Sequence, residues 1–159
     1  MFASLLLPLF LLGERDIPSA FMISKTENKN QVHFAVHVDG ACKPVAPAPV
    51  EAYWRMLERG PNATEPLLQN EERVYGIASQ TIEGSRVTIR LRALASRPVA
   101  ISTWRDDGGA CRSSAIVMIN GRNARLYDVH VVLGPIGVRH LVVVGWADDG
   151  SVVREQLSP

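Results

Sequence analysis

The sequence predicts a mainly β fold, an antiparallel β-barrel or sandwich of about eight strands with one short helix. Short segments in which apolar and polar residues alternate recur along the chain. Glycine, proline, asparagine or aspartate separates these segments at short intervals, as turns do in all-β domains. Only one segment has the features of a helix, so we expect strands to build most of the core.

The segment from Phe21 to Val38 is the clearest of these units. A polar loop from Lys25 to Asn30 separates two runs in which apolar residues occupy every second position. In the second run, valine or phenylalanine stands at each even position from Val32 to Val38, so one face of the strand is buried. The segment predicts a β-hairpin with a polar loop.

The middle of the chain contains the one predicted helix. Prolines keep residues 43–49 out of regular structure, and the aromatic residues in 50–57 favour a strand. The helix is predicted over residues 64–74, with Thr64 as the N-cap and Pro66 in the first turn.

From Tyr75 onward the pattern predicts strands alone. They fall at residues 87–93, 97–104, 114–119, 125–133 and 138–146. Asn120-Gly121 predicts a two-residue hairpin turn, and residues 134–137 predict a slightly longer one. If Leu133 pairs with Val138, His130 and His140 point to opposite faces, whereas a slip of one residue would place them side by side.

The chain of 159 residues fits one domain with a short leader. Residues 1–20 are predicted to be a signal peptide, because the apolar run from Leu5 to Leu12 is too short to span a bilayer. Gly13 and Ala20 are the candidate last leader residues, and a buried first strand or helix is the alternative. Residues 21–159 then form one exported domain, periplasmic or extracellular, with no transmembrane segment.

Charge and motifs exclude several classes of function. The net charge is +1 with no basic segment, so no nucleic-acid partner is predicted. No phosphate-binding glycine loop is present, and no cofactor is predicted. His33 and His37 are about 13 Å apart along a strand, too far to chelate one metal ion, and no metal site is predicted. No serine or cysteine lies in a known nucleophile motif, so the catalytic residues, if any, are unknown.

Cys42 and Cys111 are the only two cysteines. They are candidates for a disulfide in an oxidising compartment, where closing so long a loop would stabilise the fold by about 4 kcal/mol. Two buried free thiols are the alternative.

Several short patterns occur in order along the chain. They are Ser24-Lys25, Asn28-Lys29-Asn30-Gln31-Val32, Pro49-Val50, Tyr53-Trp54, Tyr75-Gly76 and Asn120-Gly121. Together they resemble a bacterial family catalogued as a domain of unknown function, DUF 4833, over nearly all of the chain after the leader. The resemblance implies a β-rich fold and supplies no activity or catalytic residue.

Three functional hypotheses follow. The first is a non-catalytic domain that binds a small molecule or an envelope protein; its candidate ligand-binding residues are Lys25, Asn28, Asn30, Tyr53, Trp54 and Tyr75. The second is an enzyme acting on an envelope polymer or lipid, with acids such as Glu27, Glu51 or Asp128 brought together by the fold. The third is an assembly module whose strand edge pairs with a partner. An open cavity would favour the first, convergent carboxylates the second, and a sealed core the third.

Overall fold

The computed structural model describes residues 19–159, which form eleven strands and one helix. In chain order these are β1 (Ser19–Lys25), β2 (Gln31–Val36), β3 (Val50–Arg55), β4 (Thr64–Pro66), α1 (Gln69–Tyr75), β5 (Ile77–Glu83), β6 (Arg86–Leu91), β7 (Pro98–Arg105), β8 (Cys111–Ile119), β9 (Arg122–Gly134), β10 (Gly137–Trp146) and β11 (Val152–Leu157). The predicted leader lies outside the described residues except for Ser19 and Ala20, which open β1.

All eleven strands belong to one mixed, mostly antiparallel sheet. Its order is β4-β3-β2-β1-β9-β8-β7-β6-β5, and β10 and β11 extend from the other edge of β9. The mainly β class and the single helix are confirmed for the described residues. The sheet does not close, so a barrel or a sandwich is not confirmed. The strands number eleven rather than about eight, partly because β4 lies inside the segment predicted to be helical and β11 was not predicted.

Strand β9 organises the sheet because two strands share one of its edges. Its first residues, 122–125, pair antiparallel with β8, and residues 128–131 pair parallel with β1. Strand β10 runs along the opposite edge. Leu126 and Tyr127 lie between the two pairings, so β1 and β8 diverge at this point.

The predicted turns lie where the sequence placed them. Strands β1 and β2 form the first hairpin around the polar loop. Asn120 and Gly121 have φ angles of 50° and 74°, which glycine and asparagine tolerate best, and they join β8 to β9. Gly134 pairs with Gly137, so the turn from β9 to β10 contains two residues and is shorter than predicted.

The register of that last hairpin differs from the simple prediction. Leu133 pairs with Val138 as expected, but an irregularity follows and His130 pairs with Val142 rather than with Leu141. The shift of one residue turns His130 and His140 to the same face, since side chains alternate along a strand.

The helix begins five residues later than predicted, at Gln69 instead of Thr64. Residues 64–66 form β4 and pair with β3, where Thr64 lies opposite Arg55. Pairing with the edge of β3 satisfies backbone groups that a helical turn would also satisfy, so tertiary context decides the boundary.

One apolar cluster forms the core. Phe21 and Phe34 stack there with ring centroids 4.5 Å apart, among valines and isoleucines from β2, β6, β7, β8 and β9. Cys42, in the loop after β2, is joined by a disulfide to Cys111 at the start of β8. The disulfide therefore links the loop after β2 to β8, two strands that β1 and β9 separate in the sheet order.

Candidate functional site

A cavity of about 430 Å³ opens between the loop after β1, strands β3 and β4, and the start of α1. We call it the loop–helix cavity. It is lined by Lys25, Asn28, Asn30, Trp54, Met56, Glu65, Pro66, Leu68 and Glu71. Its volume lies within the range of small-molecule sites, about 300–1,000 Å³.

Trp54 is the central side chain of the cavity, and only 6% of it is exposed. Its indole Nε1 donates a 2.8 Å hydrogen bond to Glu71 Oε2 on α1. The same oxygen accepts a 2.7 Å hydrogen bond from the backbone N–H of Leu68, and the Tyr75 ring meets the indole edge-on at 5.5 Å. The short helix therefore holds the indole in one orientation.

Lys25 brings a nearly buried cation to the cavity wall. Its Nζ lies 4.8 Å from the centre of the Trp54 ring and 3.3 Å from Glu27 Oε2. The side chain of Lys25 is 13% exposed, whereas that of Glu27 is 64% exposed. An ammonium group carries three N–H donors, and among the described residues Lys25 donates to Glu27 alone, so donors remain for a ligand.

The polar loop is shaped by its two asparagines. Asn28 Oδ1 accepts a 3.0 Å hydrogen bond from the Asn30 backbone N–H, which closes a local turn. Asn30 is 7% exposed, and its Oδ1 accepts a 3.2 Å hydrogen bond from the Glu58 N–H. Asn30 therefore anchors the loop against the chain after β3, and Asn28 lies nearer the entrance.

The two carboxylates that line the cavity already have partners. Glu71 accepts from Trp54 and Leu68, as described, and Glu65 pairs with Arg59 at the surface. Neither group is therefore poised as a proton donor and acceptor pair of the kind that polymer hydrolysis requires.

The structure brings together most of the predicted ligand-binding residues. Lys25, Asn28, Asn30 and Trp54 line the loop–helix cavity, and Tyr75 packs behind Trp54. Tyr53 does not join them because neighbouring strand residues point to opposite faces, and its ring lies 6.0 Å from that of His33. Burial raises the pKa of both tyrosines above the ordinary value.

The three candidate catalytic acids lie in separate surroundings. Glu27 pairs with Lys25 beside the loop. Glu51 lies near the start of β3, and its Oε2 is 2.6 Å from His37 Nε2. Asp128 lies on β9 and contacts β1. The fold therefore gives each acid its own partner.

Sequence reasoning missed a polar cluster formed by Ser24, Asp128 and His130. Ser24 Oγ donates a 2.6 Å hydrogen bond to Asp128 Oδ2 and lies 2.7 Å from His130 Nδ1. The Ser24 backbone N–H donates a 2.9 Å hydrogen bond to Asp128 Oδ1. Burial raises the pKa of Asp128, and the hydrogen bonds from Ser24 partly oppose this effect. No sequence motif signals the cluster, because more than a hundred residues separate β1 from β9.

The order of contacts in this cluster differs from that of a Ser-His-Asp triad. In a triad the imidazole lies between the hydroxyl and the carboxylate, which orients the ring as a base. Here Ser24 lies between Asp128 and His130, and the carboxylate binds the Ser24 amide and hydroxyl. The arrangement ties β1 to β9 in their parallel pair, and no carboxylate from residues 19–159 forms a hydrogen bond with the His130 imidazole.

Residues 19–159 contain no group of three or more histidine, cysteine, aspartate or glutamate side chains arranged to hold a metal ion. Over the same residues, no helix has the length and apolar character needed to cross a membrane.

Comparison with known proteins identifies the family. The family model described as Domain of unknown function (DUF4833) matches residues 21–156, so the chain belongs to this family. The match confirms the resemblance inferred from the short patterns in the sequence. No curated protein and no solved structure matches the chain.

Proposed function

We propose that this member of the DUF4833 family is an exported, non-catalytic domain that binds a small molecule in the loop–helix cavity. The observation that carries the proposal is the position of Lys25. Its side chain is nearly buried and packs against Trp54, and its one ion-pair partner among the described residues, Glu27, is largely exposed to solvent. A buried cation with a weak, solvated partner favours a ligand that supplies a second acceptor.

The other walls of the cavity suggest the remaining chemistry of the ligand. Trp54, Met56 and Leu68 present apolar surface, while Asn28 presents an amide near the entrance. A small molecule with an acidic or hydrogen-bond-accepting group at one end and an apolar body at the other would match both.

Export is proposed on two observations. The apolar run from Leu5 to Leu12 has the length of a signal-peptide core. The Cys42–Cys111 disulfide is of the kind that persists in oxidising compartments such as the periplasm.

An open cavity favours binding over the two alternative functions. A glycosidase of the two-carboxylate type would need two available carboxylates, but Glu65 and Glu71 are both engaged. An assembly module would use an edge such as that of β11, which pairs with β10 alone. That role requires no cavity, so it leaves the position of Lys25 unexplained.

Native mass spectrometry tests the proposal on protein purified from the envelope of its own host. We expect an extra mass that leaves on unfolding and is absent from Lys25→Met. Lys29→Met is the matched control, because it removes the same charge from an exposed position of the same loop and should retain the mass. A bare polypeptide mass for the unaltered protein, or an extra mass that survives in Lys25→Met, contradicts the proposal.

A further inference from the structure

A second cavity opens on the other face of β1, at the point where β1 and β8 diverge from β9. It has a volume of about 440 Å³, and we call it the aromatic cleft. The side chains that matter for its chemistry are Trp104, Arg112, Arg125, Tyr127 and Trp146. The cleft arises from the sheet topology, since neither β1 nor β8 pairs with Leu126 or Tyr127.

The aromatic residues of the cleft are exposed in a way that core aromatics are not. Trp104 is 45% exposed and Tyr127 is 46% exposed. The rings of Tyr127 and Trp146 lie 5.0 Å apart with their planes inclined by 55°. Large aromatic surfaces grouped on one exposed face mark a binding surface more often than scattered exposed residues do.

The charge of the cleft is positive. The guanidinium of Arg125 lies 5.0 Å from the centre of the Trp146 ring and forms no ion pair with any described acid. Arg112 donates a 2.7 Å hydrogen bond from its Nε to Asp106, which offsets part of its charge. Among the described residues that line the cleft there is no aspartate or glutamate, so Arg125 is the lining cation without an acidic partner.

A guanidinium stacked on an aromatic ring keeps its N–H donors in the plane parallel to that ring. This arrangement matches the two oxygens of a carboxylate and leaves the neighbouring ring faces open. Trp104 on β7 and Trp146 on β10 lie three strand spacings apart, about 14 Å across the sheet, and are offset by four residues, about 13 Å, along the strands. The cleft is therefore suited to an extended ligand with flat apolar faces and an occasional carboxylate.

We propose that the aromatic cleft binds an acidic polysaccharide in which charged and neutral sugars alternate. The C–H faces of the sugar rings pack on Trp104, Tyr127 and Trp146, and a uronate carboxylate accepts hydrogen bonds from Arg125. Burial and, to a lesser extent, the nearby Arg55 hold the pKa of His33 at about 4. His33 lines the same cleft as a neutral side chain, and its two ring nitrogens already contact Ser19 Oγ and Gln31 Oε1.

A nucleic acid strand fits this cleft less well. Each nucleotide carries a phosphate, and binding proteins place several cations along the strand. The described lining of the aromatic cleft has two cations, of which Arg112 is paired with Asp106, and the whole chain has a net charge of +1. An alternating polysaccharide needs only one carboxylate contact over the length of the cleft.

Affinity electrophoresis of the folded protein in gels containing hyaluronan tests the proposal. We expect hyaluronan to retard the protein and neutral dextran to leave its mobility unchanged. Trp146→Ala and Arg125→Gln should each raise the dissociation constant about tenfold. Tyr127→Ala provides a second aromatic variant at an exposed position, in case Trp146→Ala fails to fold by circular dichroism.

Arg122→Gln is the matched charge control, because it removes an exposed arginine from the same strand outside the cleft. It should leave the dissociation constant unchanged. The proposal is overturned by no retardation in hyaluronan, by equal retardation in dextran, or by tighter binding of an oligothymidylate. An effect of Arg122→Gln equal to that of Arg125→Gln also overturns it.

Discussion

The loop–helix cavity and the aromatic cleft use tryptophan in opposite ways. Trp54 is 6% exposed, and its N–H, its face and its edge each have an intramolecular partner. Trp104 is 45% exposed and stands on an open strand face. A buried, oriented indole can shape a site for one small molecule, whereas an exposed indole offers area to any flat apolar partner.

The two regions also differ in whether their charged side chains have intramolecular partners. In the cavity, Lys25, Glu65 and Glu71 all have intramolecular partners. In the cleft, Arg125 rests on an aromatic ring and has no acidic partner among the described residues. The cavity is therefore part of the folded framework, and we expect changes there to cost stability as well as binding. Changes to Trp104 and Arg125 in the cleft should weaken binding with little loss of stability.

The largest expected effect is that of Trp54→Ala. Removing this buried indole should lower the free energy of unfolding by about 3–5 kcal/mol, because the side chain leaves a cavity and Lys25 loses its packing surface. Urea unfolding followed by circular dichroism measures the change. A loss below 1 kcal/mol would show that the cavity is not part of the core and would break the comparison.

Loss of the Cys42–Cys111 disulfide should lower the free energy of unfolding by about 4 kcal/mol, given its sequence separation of 69 residues. Cys111 directly precedes Arg112, so loss of the disulfide should also weaken polysaccharide binding more than retention of the small ligand. Urea unfolding with and without reductant measures stability. The Cys42→Ser, Cys111→Ser double variant, which should not respond to reductant, serves as the control.

Glu71→Ala should lower the free energy of unfolding by about 1–3 kcal/mol, because the Trp54 and Leu68 N–H groups lose their acceptor. Glu71→Gln keeps an oxygen in place and should cost less. Thermal unfolding of both variants measures the difference. Equal losses would mean that the negative charge, rather than the hydrogen bonds, stabilises this region.

Acid should destabilise the side of the molecule that carries His33. In the folded state the pKa of His33 is about 4, below the unfolded value of 6.5, so the unfolded state binds more protons between these values. The contribution of neutral His33 to the free energy of unfolding is fully present above pH 6.5 and is lost as the pH falls toward 4. Urea midpoints between pH 4 and 7.5 should fall less steeply with acid in His33→Gln.

The contribution of Glu155 has a separate pH window. Hydrogen bonds from Arg97 and the Asn120 N–H lower the pKa of Glu155 to about 2. Its stabilising contribution is therefore lost below the window of His33, as the pH falls from about 4.5 toward 2. A His33→Gln protein whose stability between pH 4 and 6.5 matches that of the unaltered protein contradicts the assignment to His33.

Trp104→Ala should have the smallest effect on stability, within about 0.5 kcal/mol, because nearly half of the side chain is exposed. The same variant should weaken binding to hyaluronan. Urea unfolding and affinity electrophoresis on one preparation measure both quantities. A stability loss comparable to that of Trp54→Ala would remove the distinction between the two tryptophans.

Local patterns in the sequence predicted several strands and turns of the sheet. The hairpin around residues 25–30, the burial of one face of β2 and the turn at Asn120-Gly121 all follow from alternation and turn chemistry. The prediction failed at residues 64–66, because strand pairing with β3 outweighs the N-cap preference of Thr64. It also failed for Tyr53, whose position next to Trp54 in sequence places it on the opposite face.

By itself the sequence determined the mainly β class, the single helix, the principal hairpins and membership in the family, since these depend on contacts between near neighbours and on ordered motifs. Only the tertiary structure decided that β1 pairs parallel with β9, which joins Ser24 to Asp128 and His130 and opens the aromatic cleft above Leu126. Packing of the whole core selects such a pairing, because more than a hundred residues separate the two strands and no local preference favours their contact.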